Sequence, residues 1–217
     1  MDTAPATPEP RDRAAGQPAA DPFATGPLSA ASADPAAYLA ADAVIDHDHP
    51  AIRERAAGLR RDGVAETARA AFEFVRDEVA HSADIGRWSG AYRASEVLAR
   101  GDAICHGKAH LLAALLRAQG IPAGLCYQKL EVLHGLVAVH WPGSGWVRLD
   151  PRGNIPGLVD SRFATDPAEE RTAWPSDPEK DEYHYPTVHP TVPPVLLAGL
   201  ARTRPGAGGY DYLPAEL

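Results

Sequence analysis

The chain has 217 residues, 45% of them hydrophobic, and its 21 Lys and Arg against 29 Asp and Glu give a formal charge of −8. One well-buried domain plus a tail fits that length. The acidic balance excludes a mainly electrostatic grip on nucleic acid or on an anionic membrane surface, because no excess of cations is present to displace counterions.

Residues 1–33 are rich in Ala, Pro, Asp and Gly without apolar periodicity. Such a stretch buries too little to offset its ordering entropy and is expected to be a disordered leader. Residues 1–20 lack the continuous apolar region of a secretory signal, and no later stretch is apolar for long enough to cross a bilayer, so a cytoplasmic protein is expected. The folded domain is expected over 34–203, opening with Tyr38, Leu39, Val44 and Ile45 at helix or turn spacing. Helices are predicted over 51–61, ended by Asp62-Gly63, and over 65–80, where Ala68, Phe72, Val75 and Val79 recur at helical spacing. A short one over 96–99 takes Ser95 as its cap and stops at Gly101.

The next predicted helix runs over 105–119, with Leu111, Leu112, Leu115 and Leu116 as its apolar stripe and Gly120-Ile121-Pro122 as its stop. Cys105 stands in its first turn, near the edge of that stripe. Strands are predicted over 123–130, 134–141 and 146–150, the last two joined through Pro142-Gly143-Ser144-Gly145 as an antiparallel hairpin. Helices followed by strands indicate an α+β fold. Beyond Asn154 prolines interrupt any longer element, yet the stretch from Ile155 to Pro194 is too long for a connector and carries Trp174, Tyr183 and Tyr185 as anchors. It is expected to wrap the domain and shape one side of a cleft. Val195 to Ala201 reads as a last short helix, and residues 204–217 are expected to fray.

Cys105 and Cys126 are the only cysteines and a poor disulfide framework. A thiol attacks carbonyls as thiolate, and a helix start favours that form through its unpaired N–H groups and the positive end of the dipole. Cys105 has that place; Cys126, mid-strand, reads as a small hydrophobe. A nucleophile also needs a base and a group that orients the base. His134 and Asp150 are placed to supply both, but His140 lies on the same strand at even spacing from His134, so side-chain alternation leaves the base open between them. His106 and His110 are turned away from the thiol around the helix and read as surface or supporting residues. In Asp46-His47-Asp48-His49 consecutive side chains do not converge on one metal ion, and no second ligand group has the required spacing.

Three ordered segments carry a resemblance: Ala94-Ser95-Glu96-Val97-Leu98 leading to Ile104-Cys105-His106-Gly107-Lys108-Ala109 and the Leu-rich helix, then His134-Gly135-Leu136-Val137-Ala138-Val139, then Gly145-Trp146-Val147-Arg148-Leu149-Asp150-Pro151. Over roughly Phe72 to Asn154 the chain resembles the bacterial transglutaminase-like superfamily. The resemblance implies a papain/transglutaminase-like core, a helix bearing the nucleophile packed on an antiparallel sheet, and its motif order favours His134 over His140. Cys105, His134 and Asp150 are then the expected catalytic residues, with the Cys105 N–H as one oxyanion donor and the second donor unassigned. Gly135 and Leu136 stand where the family often has an aromatic residue, and Arg152 replaces the usual Thr or Ser after Asp-Pro.

The expected activity is cysteine-dependent acyl transfer on an amide or peptide bond of a peptide, protein or small amide, more hydrolytic than cross-linking, with no cofactor, metal, nucleic acid or membrane partner. The competing class is a non-catalytic peptide- or protein-binding module on the same fold.

Overall fold

The computed structural model describes residues 26–203 and 209–217. Most of the expected leader lies outside the described residues. Its end does not: Ser29–Ala30 (β1) forms a strand. Then follow helices α1 (Pro50–Leu59) and α2 (Val64–Glu73), strand β2 (Ala80–His81), helix α3 (Ala94–Arg100), strand β3 (Asp102–Ala103) and helix α4 (Cys105–Arg117). Strands β4 (Ala123–Lys129), β5 (His134–Trp141) and β6 (Gly145–Leu149) come next, then β7 (Tyr183–His184), β8 (Thr187–Val188) and helix α5 (Pro194–Leu200).

The predicted second helix does not run unbroken to Ala80. It widens into a π-helical turn at Phe74–Glu78 before β2 begins. Widening frees carbonyls from the regular ladder, and Lys108 of α4 takes up two of them, those of Arg76 and Val79. Helix α3 is not capped by Ser95. The Asp46 carboxylate accepts from the Ser95 N–H at 3.0 Å and from its hydroxyl, so a residue far back in the chain occupies the helix start.

Helix α4 is buried along its whole length, with α1, α2 and α3 around it and β4 and β5 against it. An apolar stripe alone does not require this; the polar residues of α4 are internal because backbone carbonyls satisfy them. His110 Nδ1 donates to Tyr92 O at 2.7 Å, His106 Nε2 to Leu133 O at 3.0 Å, and Arg117 reaches the carbonyls of Ala123, Ala40 and Pro190. His106 and His110, read from sequence as surface or supporting residues, are thus core residues at 0% and 1% exposure.

The main sheet has the order β6-β5-β4-β7 and is antiparallel throughout. Gln128 pairs with His134 across β4 and β5, and Val137 with Leu149 across β5 and β6. The Pro-rich segment packs on this frame: β7 adds to the β4 edge, β8 pairs in parallel with β1, and Glu170 accepts from the Arg148 N–H and guanidinium at 2.7 and 3.0 Å. Residues 209–217, expected to fray, pack as well. Tyr210, Tyr212 and Leu213 have apolar surface to bury against the core. Gly199 of α5 lets them come close, since a Cβ there would lie 2.6 Å from Tyr212 O. Glu216 closes the segment with an ion pair to Lys129 at 2.7 Å.

Candidate active site

Cys105 opens α4, and Ile104, the cap residue, makes no side-chain hydrogen bond to the helix start. The first-turn N–H groups are therefore free of a protein cap and aimed where negative charge is favoured. Gly107 lets the helix seat this deeply, since a Cβ there would lie 2.6 Å from Ala91 O and 2.7 Å from the Ala103 Cβ. Gly135 performs the same service for β5: a Cβ would meet His106 Nδ1 at 2.5 Å. The strand can thus approach the helix start closely enough to bring His134 to Cys105.

His134 Nε2 lies 2.9 Å from Asp150 Oδ2, which leaves Nδ1 for the sulfur. Asp150 is fully buried and held from two further directions, by Ala173 N at 2.7 Å and Arg152 N at 3.0 Å. The Ala173 bond ties the Pro-rich segment directly to this carboxylate. His140 is exposed, edge-on to the Trp146 ring at 5.2 Å. It stands six residues along β5, about 20 Å from His134 at the usual rise of a strand, beyond reach of the thiol.

Burial alone would push the Cys105 thiol up. The charges of His106 and His134 and hydrogen bonds from His134 and His81 outweigh it and hold the thiol well below its ordinary range. Burial pushes His106 itself down, whereas His134 moves the other way and is the stronger candidate for the cationic partner. Burial would lower His134 too, but Asp150 and the Cys105 thiolate raise it to about 10. Asp150, despite the opposing effect of burial, is held below its ordinary value by His134 and its two backbone donors. These directions favour a thiolate–imidazolium pair backed by a carboxylate. Thiolate supplies the electron pair for attack on a carbonyl carbon, and imidazolium supplies a proton for a leaving group.

A cavity of about 530 Å³ opens onto Cys105 and His134. Its walls include Leu133, Trp174 and Pro175, with Tyr210 and Leu213 of the C-terminal segment opposite. Burial and the nearby Cys105 thiolate push Tyr210 up to about 12, so its hydroxyl keeps its proton. Trp88 backs Tyr210 edge-on at 5.3 Å, and Tyr92 contributes its carbonyl to His110. His81 also lines the cavity and is not singled out by the sequence. It lies in a two-residue strand with no readable period; the only signal there is its polar neighbourhood, Ala80-His81-Ser82-Ala83-Asp84.

No curated protein matches the sequence. Among solved structures, a candidate cysteine protease from Cytophaga hutchinsonii aligns over 60% of this chain and 46% of its own, with 19% identity and a TM-score of 0.45. A structure described as a TGase aligns over 57% of this chain and 35% of its own, with 24% identity and a TM-score of 0.39. The chain thus spans less than half the length of each. No helix among the described residues is long and apolar enough to cross a membrane. Residues 52–151, the stretch from α1 through Asp150 that builds the core of this site, match the model of the Transglutaminase-like superfamily.

Proposed function

We propose that the protein is a cysteine-dependent acyl-transfer enzyme that cleaves an amide or peptide bond, with Cys105 as nucleophile, His134 as proton carrier and Asp150 as the group that orients His134. One observation carries the reading: a thiol at an uncapped helix start, held as thiolate, shares a cavity with an imidazole fixed by a buried carboxylate. Cys105 Sγ forms the new S–C bond, and the oxygen of the carbonyl takes the displaced electron pair. The C–N bond then breaks as the amine takes its proton from His134, leaving a thioester and neutral imidazole. That imidazole removes a proton from water, which replaces sulfur and releases the acid. Hydrolysis asks the cavity to recognise one partner, whereas amine transfer asks it to recognise two.

The test is a library of peptidyl coumarin amides, with acid quenching to trap a thioester on Cys105 and Cys105→Ala as control. Release of the coumarin amine with a trapped acyl group, both absent in the variant, is the expected result. Exclusive transfer to added putrescine would turn the reading to cross-linking chemistry. Tight binding of a peptide with no acylation in the wild-type protein would favour the non-catalytic binding module.

A further inference from the structure

Acyl transfer as read above leaves the carbonyl oxygen with one assigned donor, the Cys105 N–H. The short parallel ladder between β2 and β3 sets His81 opposite Ala103, two residues before Cys105. The His81 ring is 7% exposed, lines the cavity that Cys105 lines and helps to hold its thiol low. A thiolate only accepts, so the ring nitrogen turned toward it carries a proton. Nδ1 is buried without a hydrogen-bond partner, 3.7 Å from Asp84 Oδ1.

Asp84 does not wander, because Arg152 grips both its oxygens at 2.6 and 2.7 Å. The same Arg152 gives its backbone N–H to Asp150 Oδ1. One residue therefore steadies the carboxylate behind His134 and the carboxylate beside His81, on the two imidazoles that meet the sulfur. This accounts for arginine at a position where the family usually has Thr or Ser.

The geometry points to His81 as the second oxyanion donor: its ring N–H, resting on the Cys105 sulfur, passes to the substrate oxygen as that oxygen takes on charge. The assignment rests on the proposed acyl transfer. As Sγ bonds to carbon and the carbonyl π pair moves onto oxygen, that oxygen accepts from the Cys105 N–H and from His81. His81 gives up no proton; the proton for a leaving amine comes from His134. When the C–N bond breaks and the carbonyl re-forms, both hydrogen bonds weaken again.

The experiment compares two reactions of Cys105 in the full chain. Single-turnover acylation by p-nitrophenyl butyrate, followed by intact mass, passes through an oxyanion; alkylation by iodoacetamide does not. His81→Phe keeps an aromatic ring and removes the donor, whereas His81→Gln restores an N–H, and melting curves check the fold of each. His81→Phe is expected to slow acylation by about 10²-fold or more, the usual cost of one lost oxyanion donor, while alkylation falls far less. His81→Gln should recover part of the acylation rate. Equal losses in both reactions would make His81 a tuner of the thiolate or of the fold and overturn the assignment. So would failure of His81→Gln to rescue, or a loss in Tyr210→Phe with none in His81→Phe. Absence of acylation at Cys105 in the wild-type protein would instead overturn the acyl-transfer reading itself.

Discussion

Cys105 and Cys126 are both buried, at 7% and 0% exposure, yet their surroundings drive them in opposite directions. Cys126 sits mid-strand in β4 in an apolar cluster with Tyr38, Leu136, Ala138 and Val188, and burial pushes its thiol up to about 12. Cys105, at the start of α4 among His81, His106 and His134, is pushed the other way. Removal from water does not decide reactivity by itself. His106 and His134 beside the sulfur, the latter backed by its own carboxylate, outweigh the cost of burying the charge.

The contrast breaks most completely at the nucleophile. Cys105→Ala should abolish acylation, and in the native wild-type protein iodoacetamide should mark Cys105 alone. A thiol at about 12 is thiolate in only about one part in 10⁵ at pH 7, before its lack of access is considered. Peptide mapping that finds Cys126 labelled as fast as Cys105 would undo the comparison.

Next in size is Asp150→Asn. The amide leaves the shape of the site but no longer stabilises imidazolium, and turnover should fall by roughly 10⁴-fold, the scale of the equivalent change in a Ser-His-Asp site. Steady-state kinetics with a melting curve separates this from unfolding. Full activity in both Asp150→Asn and His134→Ala, with His140→Ala inactive, would move the base to the far end of β5.

The pH profile sharpens the contrast further. His134 must carry its proton to protonate a leaving amine, so amide cleavage should decline as pH rises through about 10. On the acid side, activity should persist well below the ordinary thiol range and fall only where the thiolate takes a proton. A rise in alkylation rate of Cys105 centred on the ordinary thiol value would mean that no ion pair exists at rest.

Smaller effects are expected where geometry rather than chemistry is changed. Gly135→Ala places a Cβ against His106 and should cost roughly 1–3 kcal/mol, as overpacking does, with a further loss of turnover as His134 is displaced. Thermal melts and kinetics on the same preparation read the two together. Cys126→Ala should cost only about 1 kcal/mol and leave turnover unchanged; a large loss of activity there would give β4 a role that its apolar cluster does not suggest.

Helix α4 and strand β5 are readable in the sequence for concrete reasons. The Leu111 to Leu116 stripe ends at Gly120-Ile121-Pro122, and Pro142 marks the end of β5 one residue after Trp141, so 134–141 matches the observed strand. Helical spacing also places Cys105 in a first turn. Spacing does not separate His134 from His140, because side-chain alternation gives both the same parity. Distance along the strand and the position of Asp150 separate them in three dimensions.

What the sequence hides depends on long-range pairing. His81 belongs to a strand of two residues whose partner is another strand of two, and neither has a period to read. The π turn before it exists beside Lys108, whose Nζ reaches the carbonyl of Val79 across 29 positions of chain. Arg152 is visible as a departure from the family pattern, but its grip on Asp84 joins positions separated by 68 residues. The C-terminal residues read as frayed because Gly and Pro precede them, whereas Tyr210, Tyr212 and Leu213 pack against the core.

The ion pair at Cys105 is tested most directly by an ultraviolet titration of thiolate absorbance in Cys126→Ala protein, where Cys105 alone reports. Half the signal should remain at a pH well below the ordinary thiol value of 9.0, and His134→Ala should move this midpoint upward. A midpoint at or above 9.0 in folded protein, unmoved by His134→Ala, would contradict a resting thiolate held by His134.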